Sequence, residues 1–366
     1  MGAAQGLFLS LFIFRKKENH SANLLLAFLI FAFSLDLSHS FLMASKLYIN
    51  FPHLLGITIG FPYLYGPLIY LYIKIIGSEK KEFKKQYWLH FIPFLVVLIA
   101  SFSLFFFEDA AFKIGLYERK FEILAGTIIS LLIPFHGIIY TYFSIKEIRK
   151  FNKKLKYSYS SLDKVSLSWL AYLTFGTLVI WSIVVLSYII SAIFGHGANY
   201  GFAIYYGVAV FVYLIGYKSL TQPEVYILDK VKADINEPEK TVKSYKKSSL
   251  SKEKADDYLL RLITLFDTEK VYRNSNLTLG ELSKNIEVSQ HNLSEVINTK
   301  LNKTFYDFVN KYRVEEVQQK IIDGDAEKYN LLSIAFDAGF SSKSSFNSTF
   351  KKITGQTPTE FRSSVT

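Results

Sequence analysis

The chain contains no cysteine. It therefore cannot close a disulfide, bind zinc through thiolates, use a thiol nucleophile or sense oxidants through sulfur. Also missing are a nucleotide-binding glycine loop, a zinc-type His-Glu-x-x-His and a nucleophile elbow, the usual sequence footholds of phosphate-loop, metalloprotease and hydrolase chemistry. Histidines in the apolar part stand singly. The chain thus reads as a non-enzyme that needs no cofactor and no metal. Acidic residues are scarce up to position 220, where Lys and Arg outnumber Asp and Glu 20 to 10, and long apolar runs are missing from Gln222 onward, where the count is 22 to 21. The net charge of +11 consequently belongs to the first part, as loop charge that orients helices, and is no footprint for nucleic acid.

What is present is apolar bulk. Half of the 366 residues are hydrophobic and the mean hydropathy is +0.21, which fits two unlike parts better than one soluble core. A membrane span needs roughly 20 apolar residues, because the backbone finds hydrogen-bond partners in lipid only within a helix or a closed barrel. Six stretches meet this, near Ala22–Met43, Leu54–Ile76, Trp88–Phe107, Ile123–Ile145, Leu167–Phe194 and Gly201–Tyr217. A seventh, Ala3–Phe14, is short and is followed at once by Arg15, Lys16 and Lys17. A signal peptide carries its basic residues before the apolar run, so this stretch reads as a short or clipped first helix.

Loop charges alternate. Lys and Arg crowd the first, third and fifth connections, the last holding Lys146, Arg149, Lys150, Lys153, Lys154, Lys156 and Lys164, while the second, fourth and sixth have few or none. The expectation is a multi-pass protein of the cell inner membrane with its N-terminus outside and everything after Tyr217 in the cytoplasm.

Ionisable residues inside spans are costly and mark candidate sites. Asp36 and His39 share one helix face and are candidates for an intramembrane signal site with His136 or with tyrosines of neighbouring spans; a position near the outer end of the second span, at the interface, or pairing with each other, is the favoured reading. Pro62, Pro67, Pro93 and Pro134 suit helix kinks. The 58 Phe and Tyr side chains fit interfacial belts and helix packing at least as well as a ligand pocket.

Residues 221–250 lack apolar periodicity and read as a tether. From Ser251 the helical period returns in Tyr258, Leu259, Leu262, Ile263 and Phe266. Thr278-Leu279-Gly280-Glu281 is a capping-box pattern opening a helix that breaks at Glu287-Val288-Ser289, and a second helix follows with Leu293, Val296 and Ile297. Helix, short turn, helix is the arrangement that projects a second helix into a major groove. It recurs: Leu331–Ala338, a left-handed cap at Gly339, then Ser342–Lys352 burying Phe346 and Phe350. A longer helix over Thr304–Ile322, about 28 Å at 1.5 Å per residue, connects the two pairs. That length can set two recognition helices roughly one DNA turn, about 34 Å, apart.

Ile334-Ala335, Gly339-Phe340, Phe346, Phe350-Lys351-Lys352, Gly355, Thr357-Pro358 and Glu360-Phe361-Arg362 together resemble the C-terminal DNA-binding domain of AraC-type transcription regulators. Leu282, Ser289, Leu293-Ser294 and Tyr312-Arg313 fall where that family's first unit and connecting helix would place them. The resemblance covers residues 255–366, about a third of the chain. The apolar part is similar only in layout to the multi-span modules that precede such domains in some members. The ligand-binding barrel of soluble members has no counterpart here.

The resemblance implies a fold class that is all-α: about seven transmembrane helices over 1–220, a cytoplasmic linker over 221–250, and over 251–366 a soluble all-α domain with two helix-turn-helix units joined by a long helix. Base edges would be read by Gln290, His291, Ser294 and Glu295 in the first unit, and by Lys343, Ser344, Asn347 and Ser348 in the second. Phosphates would be met by Ser342, Ser345, Lys351, Lys352 and Arg362. Lys351 and Lys352 also suit a solubilising surface, and Glu295 a solvated charge. The expected function is a membrane-embedded, sequence-specific DNA-binding transcription regulator coupling a signal sensed in or across the membrane to promoter binding. Its expected partners are double-stranded DNA, the lipid bilayer, a small-molecule or membrane signal, and a second copy in a homodimer. The alternative is a multi-span receptor or transporter whose cytoplasmic tail binds a protein partner.

Overall fold

The computed structural model of the chain describes residues 2–17, 19–78, 82–102, 107–118, 124–163, 168–194, 206–214 and 250–365. Their regular structure is helical, with one isolated antiparallel bridge between Tyr159 and Thr278. The chain forms two units. The first comprises Met1–Arg149 and Leu167–Pro223, the second Lys150–Ser166 and Glu224–Thr366. The expected apolar part, 1–220, is interrupted: the described residues 150–163 belong to the second unit. The expected linker at 221–250 lies almost wholly outside the described residues.

In the first unit, α1 (Gly2–Phe14) packs on α2 (His20–Ala44), and α3 (Pro62–Ile76), α4 (Ile92–Phe102), α5 (Ala110–Glu118), α6 (Leu124–Leu155, its residues from Lys150 counted with the second unit) and α7 (Ser168–Phe194) follow, with further helix at 206–214. Small residues allow close helix contact: a Cβ on Gly6 would collide with the Ser34 hydroxyl, and one on Gly137 would collide with the Trp181 ring.

The stretch expected to be helical from Leu54 starts only at Pro62. Gly56, at φ +80°, turns the chain, and Pro62 occupies the first helical position, where its missing N–H costs nothing. The stretch beginning at Trp88 opens as a 3-10 helix, Lys85–Phe91, before α4. Among the described residues two helical segments, His20–Ala44 and Lys85–Phe102, are long and apolar enough to cross a membrane; Gly2–Phe14 and Thr174–Ser187 are shorter apolar helices.

The second unit holds α8 (Lys252–Glu269), α9 (Leu279–Asn285), α10 (Gln290–Lys300), α11 (Phe305–Ile322), α12 (Asp325–Lys328), α13 (Leu331–Asp337), α14 (Lys343–Thr354) and α15 (Pro358–Val365). Two cores divide it. Leu262, Phe266, Leu282, Leu293 and Ile297 meet Phe305, Phe308 and Val309 in one. Ile334, Ala335, Phe340, Phe346 and Phe350 meet Val314, Val317 and Ile321 in the other. Helix α11 thus gives its first half to one core and its second half to the other. Removing a fully buried Phe from either would cost about 3–5 kcal/mol, a large share of a typical domain stability of about 5–15 kcal/mol.

Candidate nucleic-acid interface

Each core supports one helix-turn-helix pair. In the first, Thr278 opens α9 with a complete capping box: its hydroxyl accepts from the Glu281 N–H at 3.1 Å, and its own N–H donates to the Glu281 carboxylate at 3.3 Å. The helix ends in a turn carrying Glu287 at φ +56°. Ser289 then caps α10 by accepting from the Asn292 N–H at 3.1 Å. In the second pair, Gly339 at φ +96° makes the turn and Ser342 caps α14 by accepting from the Ser345 N–H at 3.1 Å. Both second helices therefore begin at a serine whose side chain satisfies one of the orphan N–H groups.

On α14, Lys343, Ser344, Asn347, Ser348 and Lys351 are all exposed, and their spacing puts them on one face opposite the buried Phe346 and Phe350. Ser342 and Ser345 are half-buried at the helix start. Lys352 is exposed but already paired with Asp307 of α11 at 2.7 Å. Burial works against the charge of Asp307, yet the hydrogen bonds from Lys352 and Thr304 prevail and hold its carboxyl below the usual range. Arg362 is exposed on α15.

On α10, Gln290, His291 and Ser294 are half-buried. Ser294 is engaged by the Asn298 amide, which donates to its carbonyl at 2.7 Å and to its hydroxyl at 3.2 Å. Glu295 lies elsewhere than the sequence reading had it. It is 7% exposed, between Leu293 and Val296 on the core side, with one carboxylate oxygen lacking a hydrogen-bond partner and His291 Nε2 3.9 Å away.

The most elaborate polar cluster of the unit was not foreseen. Arg313 is 1% exposed in the middle of α11. Its five N–H donors are matched by five contacts: Nε to the Tyr272 carbonyl at 2.7 Å, Nη1 to the Ser160 carbonyl at 3.1 Å and the Asn310 side chain at 3.2 Å, and Nη2 to the Ser160 hydroxyl at 3.1 Å and the Asn274 carbonyl at 2.9 Å. Every acceptor is neutral, so burial lowers its pKa to about 10, still well above neutrality. The signal was present in the spacing: position 313 lies four residues from both Val309 and Val317, on the apolar face.

Ser160 belongs to a short extended segment that directly follows α6 in the chain. The Leu279 N–H donates to the Ser158 carbonyl at 2.9 Å, and the Ser160 N–H and hydroxyl donate to the Leu277 carbonyl at 3.2 and 2.7 Å. The Tyr306 N–H donates to the Lys156 carbonyl at 2.9 Å, and the Lys156 ammonium lies 5.4 Å from the Tyr306 ring centre. Beyond the bridge, Ser161 meets the Ser341 hydroxyl at 2.7 Å, and Ser341 also donates to Asp163. One segment therefore touches the cap of α9, the centre of α11 and the turn that launches α14.

A helix-turn-helix domain family matches residues 282–364. An uncharacterised HTH-type transcriptional regulator of Staphylococcus aureus strain COL is 33% identical over 96 residues, and one of strain N315 is likewise 33% identical over 96. In each case the match covers 26% of this chain and 12% of the relative, so the chain aligns with only about an eighth of the relatives' length. No solved structure matches significantly. Residues 282–364 are thus similar to a helix-turn-helix domain family, and the relatives that share this stretch are named HTH-type transcriptional regulators.

Proposed function

We propose that the protein is a membrane-embedded, sequence-specific transcription regulator, in which a signal received by the apolar unit alters how the two recognition helices meet DNA. Helices α10 and α14 enter successive major grooves, with Lys343, Ser344, Asn347 and Ser348 reading bases on one side and Gln290, His291 and Ser294 on the other. Lys351, Arg362 and the capped helix starts hold phosphates. Membrane embedding is supported by the apolar helices and by large side chains left open on their outer faces, such as Phe8 at 74%, Ile99 at 74% and Ile193 at 67% exposure.

The observation that carries the coupling is the docking of residues 156–163 into the DNA-binding unit. This segment is the direct continuation of α6, and it contacts both helix-turn-helix pairs. A displacement of α6 that pulls on it changes the spacing of the two recognition helices, and binding to a two-part site is sensitive to that spacing.

The test is fractionation together with genome-wide DNA occupancy of the full-length protein. The chain is expected to stay with membranes through an alkaline carbonate wash and to enrich a bipartite motif with half-elements about one helical turn apart. A chain recovered in the soluble fraction, or DNA recovered without enrichment, overturns the proposal. Replacing Ser160 with Pro, which removes the N–H and the hydroxyl that donate to the Leu277 carbonyl, is expected to uncouple occupancy from growth conditions; unchanged regulation overturns the coupling.

A further inference from the structure

The first unit encloses a cavity of about 280 Å³ between α2, α3, α6, α7 and the helix at 206–214, with walls that are mostly apolar, including Phe33, Ile69, Ile180 and Trp181. That size is near the lower end for small-molecule sites, and an apolar chamber with a few placed polar groups is what such sites look like. Two polar features break the apolar wall. Asp36 is half-buried, held by the Tyr65 hydroxyl, which donates at 3.0 Å, and by Thr58; among the described residues no Lys, Arg or His pairs with it. Ser144 is 1% exposed and its hydroxyl has no hydrogen-bond partner.

The other lining hydroxyls are occupied: Thr141 donates to the Gly137 carbonyl at 2.8 Å and Thr177 to the Thr174 carbonyl at 2.7 Å. His39 and His136, grouped with Asp36 by the sequence reading, do not line the chamber; His136 stands against Tyr63 and Tyr140, at ring separations of 5.1 and 4.7 Å.

A carboxylate facing an apolar chamber is expensive unless a cation or several donors meet it. Two hydroxyls supply part of this, and the remaining demand is for a positively charged donor. We propose that the cavity binds a small lipophilic amine, its ammonium paired with Asp36 and its apolar body lying against Phe33, Ile180 and Trp181. The Ser144 hydroxyl offers the ligand a further hydrogen-bonding group on the α6 wall, while the body replaces lipid or void with close packing. This rests on the reading of the protein as a membrane-embedded regulator and names the chemistry of its signal.

The test uses full-length protein in lipid nanodiscs and three probes with one carbon frame: 4-phenylbutylamine, 4-phenylbutanol and 4-phenylbutyrate. Binding is followed by the emission of Trp181 after Trp88 and Trp169 are changed to Phe, with empty nanodiscs correcting for partition into lipid. The amine is expected to bind at least about tenfold more tightly than the alcohol, and the acid not at all. Asp36→Asn is expected to bring amine and alcohol to equal affinity, while Thr177→Phe, which fills the chamber from the α7 wall, abolishes binding of both. Equal affinity of amine and acid, an Asp36→Asn variant that keeps the amine preference, or amine binding that survives Thr177→Phe overturns the proposal. Absence of amine binding in a protein that fractionates with membranes and occupies a bipartite motif overturns the ligand class alone; a soluble chain or unenriched DNA overturns the regulator reading beneath it.

Discussion

Replacing Gly339 with Ala tests whether the two helix-turn-helix pairs are built against each other or merely strung along α11. Gly339 sits at φ +96°, and a Cβ there would collide with the Tyr272 carbonyl oxygen and lie 2.8 Å from both Arg273 Cα and its carbonyl oxygen. Those atoms belong to the connection before α9, so the turn of the second pair abuts the backbone of the first. The Tyr272 carbonyl cannot retreat freely, because it accepts from Arg313 Nε at 2.7 Å. A non-glycine residue in the left-handed region costs about 1–2 kcal/mol, and overpacking adds about 1–3 kcal/mol, so the substitution should cost roughly 2–5 kcal/mol. Gly355, at φ +80° with nothing within 4 Å of its virtual Cβ, isolates the conformational part. With a urea slope of about 2 kcal/mol per molar, Gly339→Ala should move the midpoint down by about 1–2.5 M and Gly355→Ala by about 0.5–1 M. Pulse proteolysis of the full-length protein in nanodiscs, read on the C-terminal unit, gives both midpoints. Equal shifts for the two variants would refute the backbone contact between the pairs.

Other expectations follow from the same geometry. Arg313→Lys leaves at most three donors for five contacts; the Ser160 carbonyl keeps the Asn310 amide and the Ser160 hydroxyl keeps Leu277, so the cost falls on the Tyr272 and Asn274 carbonyls, at about 1–3 kcal/mol for each left unpaired; hydrogen exchange at residues 158–160 should rise, and unchanged protection would count against the cluster. Glu316 accepts from Arg273 Nε at 3.1 Å and from Nη2 at 2.5 Å. Burial opposes its charge, but Arg273 outweighs burial and holds the carboxyl below its ordinary 4.5. A depressed folded pKa gives stability that is present above the unfolded value and lost as pH falls through the folded one, so Glu316→Gln should flatten the decline in urea midpoint between about pH 5 and pH 3. Asn347→Ala should cost about 1–3 kcal/mol and relax preference at one base position, whereas Lys351→Ala should weaken all sequences alike and reduce the salt slope by about 1. Binding titrations on a selected site and on its single-base variants, at two salt concentrations, separate these two results.

The second unit was legible where its signals are local. The capping box at Thr278, the turn after Ile286, the glycine at 339 and the apolar spacing of α11 each concern residues within a turn or two of one another, and each appears where the spacing puts it. Glu295 escaped because a single charge between apolar neighbours is read outward by default, while the helix turns it inward. The docked segment escaped for a different reason. Tyr157-Ser158-Tyr159-Ser160 carries no helical period, and its partners lie 117 to 153 residues away, beyond the reach of any pattern read in a window. In the apolar unit, composition marked several helices but neither their ends nor α5, which forms in an expected loop: Gly56 and Pro62 shortened one helix at its start, a 3-10 turn opened another, and among the described residues two helical segments rather than about seven are long and apolar enough to span.

That long separation has a bearing on how the molecule is made. Ser160 leaves the ribosome 153 residues before Arg313, an interval of roughly 8–30 s at about 5–20 residues per second. For most of that time the segment has only the chain made with it, since its first partners in the second unit, Leu277 and Leu279, follow 117 and 121 residues later. When α11 emerges, its buried guanidinium finds two of its five acceptors on a segment that came with the earlier half of the chain. A product of internal initiation or proteolysis that begins beyond Asp163 lacks both. The reader therefore matures fully only on a polypeptide that has already produced its apolar part, which links assembly of the DNA-binding unit to the history of the whole chain and leaves a severed C-terminal fragment the more exposed to proteases.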